Sequence, residues 1–90
     1  MTKEKLSPLF DTEELEEELK SLVLYNDEVN TFDFVIETLI DVCEHDPLQA
    51  EQCTLIVHFK GKCGVKSGTR DELKPAYTEM LNRQLTVAIK

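Results

Sequence analysis

The sequence predicts a two-layer α+β domain over residues 20–90, with element order β-α-α-β-α-β and a small antiparallel sheet packed on helices. Three observations predict it. Apolar residues recur with the helical period in three segments. Three short runs have the composition or alternation of strands. Capping residues and glycines fall at the joints between these segments. A chain of 90 residues has room for one small core, and a sheet can bury one face against helices in that space.

The elements follow in order. Ser21-Leu22-Val23-Leu24-Tyr25 is a β-type run that ends at Asn26-Asp27. Phe32, Val35, Ile36, Leu39, Ile40 and Cys43 then form the stripe of an amphipathic helix. Asn30 is placed to cap it by accepting a first-turn N–H, and Asp33 suits the positive end of its dipole. A second helix opens at Asp46-Pro47. Asp46 is a good N-cap, Pro47 needs no N–H at the first position, and Gln49 completes a capping box. Ala50, Cys53, Thr54 and Val57 continue one face, with Leu55, Ile56 and His58 beside it. That helix is therefore expected to be largely buried and to stop near Gly61. Lys62 to Lys66 alternates as a strand, and Ser67-Gly68 is expected to turn the chain. Thr69 and Glu72 make another capping box, opening a helix with apolar Leu73, Ala76, Tyr77, Met80 and Leu81. Pro75 leaves the start of that helix open, because an interior proline breaks one helical hydrogen bond. Leu85 to Lys90 alternates as the last strand.

Charge is uneven along the chain. The formal charge is -8, from 18 acidic against 10 basic residues, which argues against nucleic acid or an anionic membrane as a partner. No apolar run approaches the ~20 residues of a membrane span. Met1-Thr2-Lys3-Glu4-Lys5 has no apolar stretch behind it and does not read as a secretory signal. Residues 1–19 hold two lysines and seven acids and read as a flexible acidic extension, with helix only near Glu13 to Leu19. By composition alone that extension is a solubilising leader. Three cysteines, Cys43, Cys53 and Cys63, lie ten apart with no C-x-x-C pair. They read as free thiols in a reducing cytoplasm. Monomer is the default for so small and acidic a domain.

Candidate chemistry is sparse. His45, in Glu44-His45-Asp46, reads as a surface residue. His58, on the second helix, is either a satisfied core or edge histidine or a neutral imidazole offering one acceptor nitrogen. Thiol catalysis or metal binding by the cysteines and His58 lacks the expected spacing, and no cofactor is implied. The loop Asn26-Asp27-Glu28-Val29-Asn30 is the most informative segment. It is a turn plus an N-cap, or a site that captures a cation with amide and carboxylate oxygens. No glycine-rich phosphate loop or nucleophile elbow accompanies it.

At this loop a resemblance enters. The stretch from Tyr25 through Val35, with Ala50 through Lys62 followed by Cys63-Gly64-Val65, resembles the ClpS family, adaptors of the Clp AAA+ protease. It covers residues 20–90 as the adaptor core, with residues 1–19 as an extension that such adaptors offer to the unfoldase during handover. The family's fold matches the element order read above. The resemblance implies a non-enzymatic adaptor for N-degrons, proteins whose first residue is Leu, Phe, Tyr or Trp. Its partners would be those substrates and the N-terminal domain of a ClpA-type or ClpC-type unfoldase. It also implies that Asn26, Asp27 and His58 take the substrate's α-amino group. Glu28, Asn30, Phe32, Val35, Thr54, Val57 and Leu85 match the hydrophobic pocket and its rim. Thr69 and Lys74 match the unfoldase contact. Several positions depart from the commoner pattern: Glu28 stands for Asp, Asn30 for Thr, Thr31 for Pro, Phe32 and Thr54 for Met, and Thr69 for Glu. The alternative is another protein-interaction domain of the same fold, ribosome-associated or otherwise, that ignores the α-amino group.

Overall fold

A computed structural model describes residues 18–90. The helix expected near Glu13 and most of the acidic extension lie outside them. The element order is β1 (Lys20–Tyr25), α1 (Phe32–Cys43), α2 (Pro47–Lys60), β2 (Lys62–Gly68), α3 (Arg70–Asn82) and β3 (Thr86–Ile89). The strands form one antiparallel sheet in the order β2-β1-β3. This is the architecture that the sequence predicts. Alternate residues of β1, Leu22 and Leu24, point into the core and meet Leu39 and Cys43 of α1 and Leu73 and Met80 of α3. Among the described residues no helix is long and apolar enough to cross a membrane.

The helix joints follow local chemistry. Asp46 caps α2, accepting from Gln49 N at 2.8 Å with Pro47 at the first position, but the Gln49 side chain does not return a bond to Asp46 N, so the capping box expected there is only half made. Gly61 ends α2 at φ 94°, where a side chain would be strained. The capping box of α3 is complete: Glu72 N donates to Thr69 Oγ1 at 3.2 Å, and Thr69 N donates to Glu72 Oε1 at 2.8 Å. Pro75 lies in the second turn of α3. The one carbonyl it releases belongs to Asp71, an exposed residue where water can serve it.

Five further expectations need correction. Thr31 caps α1, its Oγ1 accepting from Phe34 N at 3.1 Å; Asn30 does not. Thr31 is the residue directly before the first helical one, and Asn30 is engaged elsewhere. Ser67 and Gly68 do not turn the chain but extend β2, pairing with Ser21 and Lys20. Ladder pairing with β1 outweighs the local turn preference of Ser-Gly. Leu85 precedes β3 and is not part of it, its N–H being bound to Met80 O. The second helix is not largely buried: Ala50, Thr54 and Val57 face the core, while Leu48 is 63% and Phe59 75% exposed. A three-stranded sheet can cover only one stripe of that helix.

The fifth correction concerns His45, which is 5% exposed and not a surface residue. Glu44 adopts left-handed backbone at φ 62° and turns the chain so that His45 enters the core. β2 carries a bulge: Leu22 pairs with Lys66 and Val23 with Gly64, leaving Val65 without a partner residue. His45 Nε2 lies 2.6 Å from Val65 O. A carbonyl only accepts, so Nε2 carries a proton and donates, and Nδ1 is left buried without a partner.

Candidate functional site

The loop between β1 and α1 builds one side of the site. Asp27 organises it as an Asx turn: Oδ1 accepts from Val29 N and Asn30 N, both at 2.9 Å. Oδ2 accepts from Asn30 Nδ2 at 3.0 Å. Burial pushes the Asp27 carboxyl up, but the donors of Asn30 and Val29 outweigh it and hold it below the usual aspartate value. The site therefore carries a full negative charge at neutral pH. Asn26 is exposed, and its backbone N–H is anchored on Gly61 O at 2.9 Å, which ties the loop to the end of α2.

A cavity of about 360 Å³ opens at this loop. Asn26, Asp27, Glu28 and Asn30 line it from the loop, and Phe32 and Val35 from α1. Thr54, Val57 and His58 line it from α2, and Leu85 from the α3–β3 turn. Every residue matched to amine and pocket binding thus borders one cavity. Leu24 and Tyr25 border it too. The sequence assigns neither a site role: Tyr25 opens the family-like stretch and Leu24 is a strand residue, and no local signal separates a core leucine from one beside a cavity. The inner wall is apolar: Leu24, Thr54, Val57 and Leu85 are buried. Thr54 spends its hydroxyl hydrogen on Ala50 O at 2.8 Å, a helical back-bond that removes it as a donor to the cavity.

The rim is aromatic and polar. Phe32 is 39% exposed, and its ring meets His58 edge-on at 6.1 Å. His58 in turn meets the exposed ring of Phe59 at 5.0 Å. His58 is exposed on α2 and is not a core histidine. The neutral ring offers one acceptor nitrogen beside the acceptors of Asn26 and Asp27.

The remaining candidates lie apart. Thr69 caps α3, with its hydroxyl and N–H both used in the capping box. Lys74 is exposed and borders a shallow hollow with Asp71, Pro75, Thr78 and Glu79. The cysteines are free thiols. Burial pushes Cys43 up to about 11. Burial, with a hydrogen bond to Cys63, does the same for Cys53. Both are protonated at neutral pH and poor nucleophiles. Among the described residues, no group of three or more His, Cys, Asp or Glu could hold a metal ion.

Comparison with known proteins places the chain. Residues 16–87 match the model of a family described as ATP-dependent Clp protease adaptor protein ClpS. The chain is 39% identical over 84 residues to the ATP-dependent Clp protease adapter protein ClpS of Oleidesulfovibrio alaskensis, covering 84% of this chain and 81% of that one. It is 36% identical over 70 residues to the protein of the same name from Nitratidesulfovibrio vulgaris, covering 76% and 70%. Its fold is similar to that of Agrobacterium tumefaciens ClpS2, solved bound to L-phenylalaninamide, with a TM-score of 0.71. That match has 20% identity and covers 82% of this chain and 96% of the other, a likeness of fold.

Proposed function

The chain belongs to the ClpS family of adaptors of the Clp protease, and on that premise we propose that it binds proteins through a free, bulky hydrophobic N-terminal residue and delivers them to a Clp AAA+ unfoldase. The observation that supports this most is the joint lining of one cavity by cation acceptors and apolar side chains. An α-amino group has a pKa of ~7.7–8.0 and is mostly a three-donor cation at neutral pH. Asn26 and neutral His58 accept from it, and Asp27 supplies the compensating charge. The first side chain then enters the apolar wall of Val35, Thr54, Val57 and Leu85, with Glu28, Asn30 and Phe32 at the rim. Burying a Leu or Phe side chain contributes ~1.5–3 kcal/mol. L-Phenylalaninamide, named as the ligand of the Agrobacterium relative, offers the same two groups, a free α-amine and a benzyl side chain. The adaptor itself catalyses nothing.

Delivery uses other parts of the chain. The start of α3, with Thr69 and Lys74, meets the N-terminal domain of a ClpA-type or ClpC-type unfoldase. Residues 20–90 act as the adaptor core, and residues 1–19 are the extension offered to the unfoldase at handover. The chain works as a monomer in the cytoplasm.

The test is fluorescence anisotropy with short labelled peptides beginning with Leu, Phe, Tyr, Trp, Ile or Met, each with a free or an acetylated amine. Binding to some bulky free N-termini, lost on acetylation, is the expected result. Binding to none of the free N-termini would sink the proposal and leave an interaction domain of the same fold.

A further inference from the structure

We propose that Asn30 is a positioning residue that latches the β1–α1 loop to the α3–β3 turn, setting the Asp27 carboxylate and the Leu85 wall together. The inference rests on the amine-binding reading above. Because Thr31 caps α1, the Asn30 side chain is free for another task. Its single nitrogen carries two hydrogens, and both are used. Nδ2 donates to Asp27 Oδ2 at 3.0 Å and to Gln84 O at 3.0 Å, a residue 54 positions away. Neither hydrogen is left for a bound chain, so the donor side of Asn30 serves its neighbours, and only its oxygen is left to accept.

Each end of the latch controls part of the cavity. A carboxylate has roughly four lone-pair sites. Val29 N, Asn30 N and Asn30 Nδ2 occupy three at Asp27. The group then has one orientation and a single acceptor direction open to an ammonium. Without Asn30 Nδ2, only Oδ1 is held and Oδ2 is fixed by nothing on this loop. At the other end, Gln84 sits at φ 68°, a left-handed backbone that costs a non-glycine residue free energy. The turn has a local reason to relax, and the bond from Asn30 opposes it. Leu85, the next residue, is buried and lines the cavity. A hydroxyl residue at position 30 has one donor hydrogen and could not serve both ends.

The experiment compares the full chain with its Asn30→Ala and Asn30→Asp variants. Asn30→Asp keeps the shape but sets a carboxylate against Asp27 Oδ2 and Gln84 O. Thermal unfolding establishes that each variant is folded; should Asn30→Asp not fold, Asn30→Ala decides. Without peptide, NMR follows the Asp27 carboxyl titration and the exchange of the Gln84 and Leu85 amides. Anisotropy then gives the affinity for a free-amine peptide beginning with Phe. We expect Asp27 to titrate at higher pH in Asn30→Ala, both amides to exchange faster, and affinity to fall about tenfold. Unchanged titration and exchange overturn the latch, even if affinity falls, because Asn30 would then be touching the peptide directly. Altered titration with wild-type affinity also overturns it, since the latch would not position the site. A wild-type protein that binds no free-amine peptide refutes the function reading, while titration and exchange still decide the latch.

Discussion

Replacing Asn26 by Ala should weaken capture of a free N-terminus while leaving the fold intact. The backbone of Asn26 is held by its N–H bond to Gly61 O at 2.9 Å, which the substitution keeps. Its side chain is exposed, and the hydrogen bonds of the loop run through Asp27 and Asn30 instead. Stability should therefore change by less than about 0.5 kcal/mol, as for most surface substitutions. In the proposed complex the amide oxygen would accept from an ammonium, a charge-assisted bond whose net contribution is ~1.5–3 kcal/mol. At ~1.4 kcal/mol per tenfold, Kd should rise by roughly 12- to 150-fold. Anisotropy with a free-amine peptide beginning with Phe or Leu measures it, and thermal unfolding of the same sample controls for folding. A Kd within about twofold of wild type, with the fold intact, would refute the role of Asn26 as an amine acceptor.

Three further outcomes are expected. His45→Ala should destabilise the protein by about 2–4 kcal/mol, because it leaves a cavity and removes the buried donor of the Val65 carbonyl. Peptide affinity of the folded variant should be unchanged, and an unaltered melting temperature would refute the structural role. Asp27 titrates below its ordinary 3.8 in the fold, so its ionised form stabilises the protein above that value, and this is lost as pH falls through the lower folded value. Asp27→Asn should be less stable than wild type at pH 7, with the gap closing under acid; a gap independent of pH in urea unfolding would contradict the sign. Thr54→Met lengthens a buried cavity-lining side chain, so affinity for a Trp peptide should fall about tenfold relative to a Leu peptide, the cost of overfilling being ~1–3 kcal/mol. An unchanged Trp-to-Leu ratio in anisotropy would remove Thr54 from the contact surface.

The sequence reveals most of what local chemistry decides. The apolar stripe from Phe32 to Cys43, the Asp46-Pro47 start and the Thr69–Glu72 box depend on neighbours within a turn, and all three form, although the box expected from Asp46 and Gln49 is only half made. What escapes depends on distant partners. His45 is polar by its neighbours, yet its proton goes to Val65, 20 residues on, at a bulge whose one local sign is Gly64 inside the strand run. Ser67-Gly68 has turn composition, but β1 supplies a ladder that locally favoured turns cannot match. Asn30 and Thr31 are both competent caps, and the choice is made by Asp27 and Gln84, which claim the Asn30 amide. The cavity residues are legible only through the family motif, since periodicity alone gives Val35, Thr54 and Val57 the pattern of ordinary core positions.

These distant bonds explain how a site with exposed polar residues can be held in place. Three joints converge on the cavity: the β1–α1 loop, the end of α2 and the α3–β3 turn. A loop free to move would lose entropy on binding an ammonium, at ~0.5–1.5 kcal/mol per immobilised side chain. Here Asn26 N is bound to Gly61 O, and Asn30 Nδ2 to Gln84 O, so the first joint is tied separately to the other two. Gly61 can accept that role because its positive φ ends α2 abruptly, presenting its carbonyl to the loop instead of to another helical turn. The rigidity therefore comes from backbone carbonyls at chain reversals, which leaves the side chains of Asn26 and His58 outside the network and available to a substrate. If the proposed function holds, ordering supplied by the fold in advance leaves the amine's interactions to affinity and to discrimination against a blocked N-terminus.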